Sequence, residues 1–249
     1  LFKEAGLPDG VINFLPGRGS IVGPQLIKDE NLAGVHFTGS TAVFQSMWKD
    51  IGNNIDNYKT YPRIIGETGG KDFILAHESI EPVELATAMI RGAFEYQGQK
   101  CSAASRCYIP ENIWEETKEI LLSEMSTIKM GDVEDFTNFV NAVIDENSFD
   151  NITSYIEYAK KSSEATIVCG GNYDKSKGYF IEPTVILTDN PNFKTMEEEI
   201  FGPVFTIYVY KESWDGICNI VDKTSPYGLT GAIFAEDSTA LFTGQNLLR

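Results

Sequence analysis

Apolar positions recur along this chain in two rhythms. Residues 11–15 (VINFL), 33–37 (AGVHF), 63–65, 73–76, 106–109, 166–169, 184–187, 205–210 and 229–234 are short apolar runs, the pattern of strands. Between them the spacing changes. Val43, Met47, Ile51 and Ile55 step by four and predict a helix over 42–55. A second stripe, Ala86, Met89, Ile90, Ala93 and Gln97, predicts a helix over 82–97, with Pro82 at its start and Gly98 as its stop. Residues 24–30, 113–128 and 149–161 read as further helices, and residues 172–177 as an exposed loop. The opening residues, Leu1 to Gly6, read as part of a helix, and the last, Asn246 to Arg249, fall within another amphipathic pattern. Strand and helix alternate in units of about 25–30 residues, which predicts a parallel α/β layer over 1–66. The later strands predict a second α/β domain with a parallel-rich sheet over 67–249. There is no internal repeat.

Composition narrows the function classes. The 249 residues are 42% hydrophobic and 22% charged, an ordinary globular balance. Lys and Arg number 20 against 36 Asp and Glu, a net charge of −16. Such a surface repels phosphate backbones and anionic lipid, so neither nucleic acid nor membrane is expected as a partner. No apolar run approaches the roughly 20 residues of a membrane span. Four cysteines without a C-x-x-C pair predict free thiols in a reducing compartment. The two histidines, His36 and His77, are 41 residues apart with no carboxylate cluster at ligand spacing, so no metal is expected. His36, inside an apolar run, reads as a core histidine.

Several polar segments could carry chemistry. Gly17 to Gly23 (GRGSIVG) follows an apolar run as a dinucleotide fingerprint would, but its glycines are one residue too far apart, and Phe37 stands where a ribose-binding acid would be. Phe37-Thr38-Gly39-Ser40-Thr41 ends a strand and opens a helix. Taken alone, such a turn is more often a plain N-cap than a phosphate-binding turn. Glu67-Thr68-Gly69-Gly70-Lys71 sets a carboxylate beside two glycines, where it is either a solvated turn acid or a mobile general base. Cys101, in Gln97-Gly98-Gln99-Lys100-Cys101-Ser102-Ala103, follows a long helix in a polar setting beside a cation, the surroundings of a reactive thiolate. Cys107, Cys169 and Cys218 lie in apolar patterns and read as packing thiols. In Met196 to Val204 (MEEEIFGPV), three acids adjoin an aromatic ring and a Gly-Pro turn. That segment is a charged loop, or an acid on a pair of hydroxyls with a ring against a flat ligand.

Taken in order, FTGS, ETGGK, GQKCSA 34 residues after Glu67, and EEIFGPV resemble the NAD(P)-dependent aldehyde dehydrogenase superfamily. The likeness runs from Leu7 to Gly231. Finer features, among them ETGGKDF, EYQGQKCSA and TSPYGLTG, are similar to its pyrroline-5-carboxylate dehydrogenase branch, which oxidises glutamate 5-semialdehyde to glutamate in proline breakdown.

The resemblance implies a partial Rossmann-type cofactor layer over 1–66 and a catalytic domain over 67–249. By position, Cys101 matches the nucleophile and Glu67 the base that activates water. Gly39, Ser40, Thr41, Ala42 and Val43 match the pyrophosphate turn and the helix start behind it. Glu199 matches the acid on the nicotinamide ribose, Phe201 the ring near the nicotinamide, and Ser102 a residue lining the aldehyde pocket. The resemblance implies NAD as cofactor, a small aldehyde as substrate and a homo-oligomer. It also makes Gly17 to Gly23 a structural turn and the chain a piece cut at both ends, expected to be inactive alone. A eukaryotic source would place the protein in the mitochondrial matrix, a bacterial one in the cytoplasm. Two other readings stay open: another member of the superfamily, acting on a different aldehyde or acylating CoA (the latter disfavoured by Glu67), and a non-catalytic module keeping the fold.

Overall fold

A computed structural model describes residues 1–248, which divide into two compact units, Leu1–Thr68 and the remainder from Gly69 on. In the first, helix α1 (Gly19–Lys28) precedes strand β1 (Gly34–Thr38), helix α2 (Thr41–Asn53) and strand β2 (Arg63–Glu67), with β1 parallel to β2. Four expectations fail here. Residues 11–15 form no strand; they run as irregular, exposed backbone. Leu1 to Gly6 forms hydrogen-bonded turns rather than a helix. The first helix starts at Gly19 and carries Pro24 inside it, so the proline marks no helix start. His36 is exposed on β1 and is not a core histidine.

The second unit is built on β3 (Asp72–Ala76), β4 (Ala104–Pro110), β5 (Ala165–Cys169), β6 (Tyr173–Asp174), β7 (Phe180–Ile181), β8 (Thr184–Thr188), β9 (Val204–Tyr210) and β10 (Gly231–Phe234). Its helices are α3 (Pro82–Phe94), α4 (Glu111–Met125), α5 (Glu146–Lys161), α6 (Lys194–Glu197), α7 (Trp214–Thr224) and α8 (Ser238–Leu247). Six strands form one sheet in the order β10-β3-β4-β9-β8-β5, all parallel to their neighbours except β5, which runs antiparallel to β8. The short pair β6 and β7 forms a hairpin, so part of the expected 172–177 loop is strand.

Both faces of the sheet are covered, which explains why its strands are apolar without alternation. Leu75 and Tyr108 join a core with Phe149, Ile152 and Ile156 of α5 and Ile217 and Val221 of α7. Their chain neighbours Ile74, Cys107 and Ile109 point the other way, against Leu85, Met89 and Phe94 of α3 and Trp114 and Leu121 of α4. Side-chain caps fix several helix starts. Ser40 accepts from the Val43 N–H (3.3 Å), Asp145 from Ser148 (2.8 Å), and Ser213 from Gly216 (3.3 Å).

Candidate active site

In the first unit the polar residues gather where β1 meets α2. The Gly39 N–H donates to the Glu67 carbonyl oxygen at 3.2 Å, so the end of β2 closes against the turn. Ser40 is committed to the cap of α2. Thr41, the first residue of that helix, carries a buried Oγ1 with no hydrogen-bond partner among the described residues. An orphaned hydroxyl at the start of a helix, where the leading N–H groups also lack intrahelical partners, suits an anion such as a phosphate. Ala42 and Val43 follow, both exposed.

A cavity of about 320 Å³ opens between α1 and α2, walled by Gly19, Ile27, Phe37, Val43 and Met47. Gly19 and Gly23, both lining it, belong to the helix itself, so the glycine-rich segment is no free turn. Sequence reasoning missed this cavity. The signal was present in Val43 and Met47, the same stripe that announced α2. Glu67 ends β2 with its side chain exposed.

The second unit holds the cysteine. Helix α3 was expected to reach Gln97, but it stops at Phe94, and the chain passes through three left-handed residues, Tyr96 (φ 58°), Gln97 (φ 57°) and Gly98 (φ 64°). Two of the three are not glycine, a strain seen where a loop must be held in one pose. The reversal delivers half-buried Cys101 to a turn just ahead of β4, with Ser102 exposed beside it. Lys100, expected to lend the thiol its charge, is instead engaged by Glu95 at 2.7 Å. Gly98 packs so closely on the Gly202 carbonyl that a Cβ would overlap it. The neighbouring Phe201 is itself left-handed (φ 58°) and substantially exposed.

Gly70 joins the remaining parts. Its N–H donates to Glu199 Oε1 at 2.9 Å, and its Cα lies so near the Cys101 carbonyl oxygen that no side chain fits between them. The Glu199 carboxylate also abuts Gly69. Thus Cys101 and Glu199, 98 residues apart in the sequence, meet at one glycine pair.

Charges that sequence reasoning had not singled out lie directly behind this pair. Lys71 (1% exposed), Asp72 and Arg106 are all buried. Arg106 donates from Nε to the Lys71 carbonyl (2.8 Å) and from a terminal nitrogen to Tyr108 Oη (2.9 Å). Asp72 Oδ1 accepts from the Thr230 N–H at 2.7 Å. Burial is the main cause that raises Asp72 to about 6, and burial, then Arg106, lowers Lys71 to about 7. The other three cysteines are reluctant thiolates. Burial pushes Cys107 and Cys169 up and takes Cys218 to about 11.

Comparison with known proteins gives the family. The aldehyde dehydrogenase family model matches residues 1–248, and the chain belongs to that family. Over 249 residues it is 53% identical to the mitochondrial delta-1-pyrroline-5-carboxylate dehydrogenase of Dictyostelium discoideum, covering 99% of this chain and 45% of that protein. The Mycobacterium tuberculosis delta-pyrroline-5-carboxylate dehydrogenase bound with NAD superposes with a TM-score of 0.92 at 46% identity, over 99% of this chain and 45% of that one. The NAD-bound 1-pyrroline-5-carboxylate dehydrogenase from Thermus gives the same TM-score at 32% identity, over 100% of this chain and 47% of that one. The chain therefore spans a little under half the length of these relatives. The α/β fold with a mostly parallel sheet is the one these structures share.

Proposed function

We propose that this chain carries the nucleophile and the hydrolytic base of an NAD-dependent dehydrogenase that oxidises L-glutamate 5-semialdehyde, in equilibrium with 1-pyrroline-5-carboxylate, to L-glutamate. The observation that carries the proposal is the meeting of Cys101 and Glu199 at Gly70, two positions beyond Thr68 and three beyond Glu67. The names of the relatives supply the substrate, and two NAD-bound relatives supply the cofactor.

The residues divide the work. Cys101 Sγ, as thiolate, adds to the aldehyde carbon and forms a thiohemiacetal. NAD, when bound, supplies the hydride acceptor that turns this adduct into a thioester. Glu67 takes a proton from water, whose oxygen attacks the thioester carbonyl; the carboxylic acid leaves and the Cys101 thiolate is regenerated. Two moderate barriers replace one high one. Thr41 Oγ1, Gly39 and the start of α2, with Ala42 and Val43, would hold the pyrophosphate. The apolar cavity between α1 and α2 suits the adenosine end. Glu199 would accept from the ribose hydroxyls, with Phe201 beside the nicotinamide, and Ser102 would line the aldehyde pocket.

The whole protein is expected to assemble as a homo-oligomer and, in a eukaryote, to work in the mitochondrial matrix. Several eukaryotic relatives are named mitochondrial. Among the described residues no helix is long and apolar enough to cross a membrane. Steady-state turnover of glutamate semialdehyde by the intact protein, with and without CoA, tests the reading. CoA-independent NAD reduction is expected. A requirement for CoA would transfer the chain to the acylating relatives.

A further inference from the structure

Two glutamines, Gln97 and Gln99, flank Gly98 in the turn that delivers Cys101, and the chemistry described above uses neither. Gln97 is buried although its own backbone is left-handed. A buried amide needs partners. Turned so that donor meets acceptor, its oxygen accepts from the Asn141 N–H at 2.7 Å and its nitrogen donates to the Tyr96 carbonyl at 2.8 Å. That carbonyl also accepts from the Gln99 N–H at 3.1 Å. The Gln99 side chain reaches the same distant segment, its Oε1 accepting from the Ile144 N–H at 2.9 Å.

The segment that receives these bonds is braced from both layers of the unit. Val140 is buried in the core beneath α3 and α4, and Val143 in the core that α5 and α7 share. Main-chain bonds tie it down as well. The Val140 N–H donates to the Lys129 carbonyl (3.2 Å), the Gly131 N–H to the Val140 carbonyl (3.0 Å) and the Val143 N–H to the Tyr179 carbonyl (2.9 Å). Asn141 Nδ2 donates to the Gly131 carbonyl at 3.0 Å. Two N–H groups three residues apart therefore stand on a fixed support, and each takes one glutamine. Gly98, between the glutamines, closes on the Gly202 carbonyl.

We infer that Gln97 and Gln99 are positioning residues for the nucleophile. Their side chains are struts from segment 141–144 that hold the strained turn, and with it Cys101, in the pose from which the thiolate meets the aldehyde carbon. The inference rests on the reading of Cys101 as the nucleophile. It gives the left-handed backbone at Tyr96 and Gln97 a reason: such strain persists only where surrounding contacts over-determine it. The struts end on a segment with no part in the cofactor reading, so they act on thiol addition and hydride transfer and not on dinucleotide affinity.

Stopped-flow measurement of first-turnover NADH formation from glutamate semialdehyde, on the intact protein bearing Gln97→Met, Gln99→Met or Cys101→Ala, tests this. NAD affinity is measured alongside by calorimetry without substrate. Methionine keeps the length of the side chain and removes the acceptor. Each glutamine variant is expected to slow the first turnover roughly tenfold to a hundredfold, the cost of a misplaced reacting group, with NAD affinity unchanged. Gln99→Met should also melt close to the wild type, because Ile144 is 76% exposed and water can replace the lost acceptor. Wild-type rates in both glutamine variants, while Cys101→Ala forms no NADH, overturn the inference and leave the reading of Cys101 intact. A loss of NAD affinity in step with the rate makes the glutamines general scaffold and overturns it too. If Cys101→Ala still forms NADH, the reading of Cys101 fails and takes the inference with it. Should the glutamine variants not fold, hydrogen exchange on the wild type decides. The Ile144 N–H should be protected, and exchange at the rate of an unbonded loop amide overturns the role.

Discussion

One methyl group at position 70 would reach both halves of the chemistry. Gly70 touches the Cys101 carbonyl on one side and donates to Glu199 on the other, so a Cβ must displace the backbone of the nucleophile turn. Gly70→Ala in the intact protein should therefore cut kcat/KM on the order of a hundredfold, because small displacements of a reacting group are that costly. Near-normal kinetics would mean that the Cys101 turn is not held by this contact. Thiol chemistry supplies a second test at this scale. Burial raises Cys107, Cys169 and Cys218, whereas Cys101 is half-buried in a turn. Iodoacetamide at neutral pH should modify Cys101 first, as read by peptide mass spectrometry. Earlier modification of any other cysteine would count against the assignment. Cys101 and Glu67 stood out in polar segments of the sequence, and the resemblance to the aldehyde dehydrogenase superfamily gave them their roles and picked Glu199 out of three neighbouring acids. Lys71 and Arg106 were not legible, since a charged residue reads as exposed until its tertiary neighbours are known. Nor could the sequence reveal that Lys100 is taken up by Glu95 and does not stand alone beside the thiol.

At the scale of elements, periodicity found the six strands of the main sheet and helices α3, α4 and α5 of the second unit, where both faces of the sheet are buried and the apolar signal is continuous, but not α6, α7 or the β6–β7 hairpin, and only the end of α8. It failed where the signal had other causes. Residues 11–15 are apolar yet exposed, so hydrophobicity alone predicted a strand that has no partner among the described residues. The stripe through Gln97 overran the end of α3, because Gln97 is buried by a left-handed turn rather than by a helix face. Caps were more faithful guides. Ser40→Ala should remove the side-chain acceptor at the start of α2 and cost about 1 kcal/mol, measured by denaturant unfolding. In the core of the second unit, Leu85→Ala should cost about 2–5 kcal/mol by the same measurement, since Leu85 is fully buried beneath the sheet. A loss well below 1 kcal/mol at Leu85 would contradict the packing described.

For the whole molecule, the buried charges behind the site make stability depend on pH with a definite sign. The Asp72 value is raised from 3.8 to about 6, so the folded state holds a proton that the unfolded state releases earlier. That contribution is fully present below 3.8 and is lost as pH rises to about 6. The Lys71 value is lowered from 10.5 to about 7, so the unfolded state binds the extra proton, and stability rises with pH between those limits. Lys71→Met should flatten the upper window in denaturant titrations and leave the lower one intact. A persistent upper slope would assign it to another group.

The central claim is that Cys101 carries the acyl group and Glu67 activates the water that releases it. Its most direct test is a single-turnover experiment on the intact protein bearing Glu67→Gln, following NADH by absorbance and Cys101 by mass spectrometry. The account predicts a stoichiometric burst of NADH followed by a stall, with an acyl thioester trapped on the peptide that contains Cys101. Sustained turnover, or a burst with the adduct on any other residue, would contradict it.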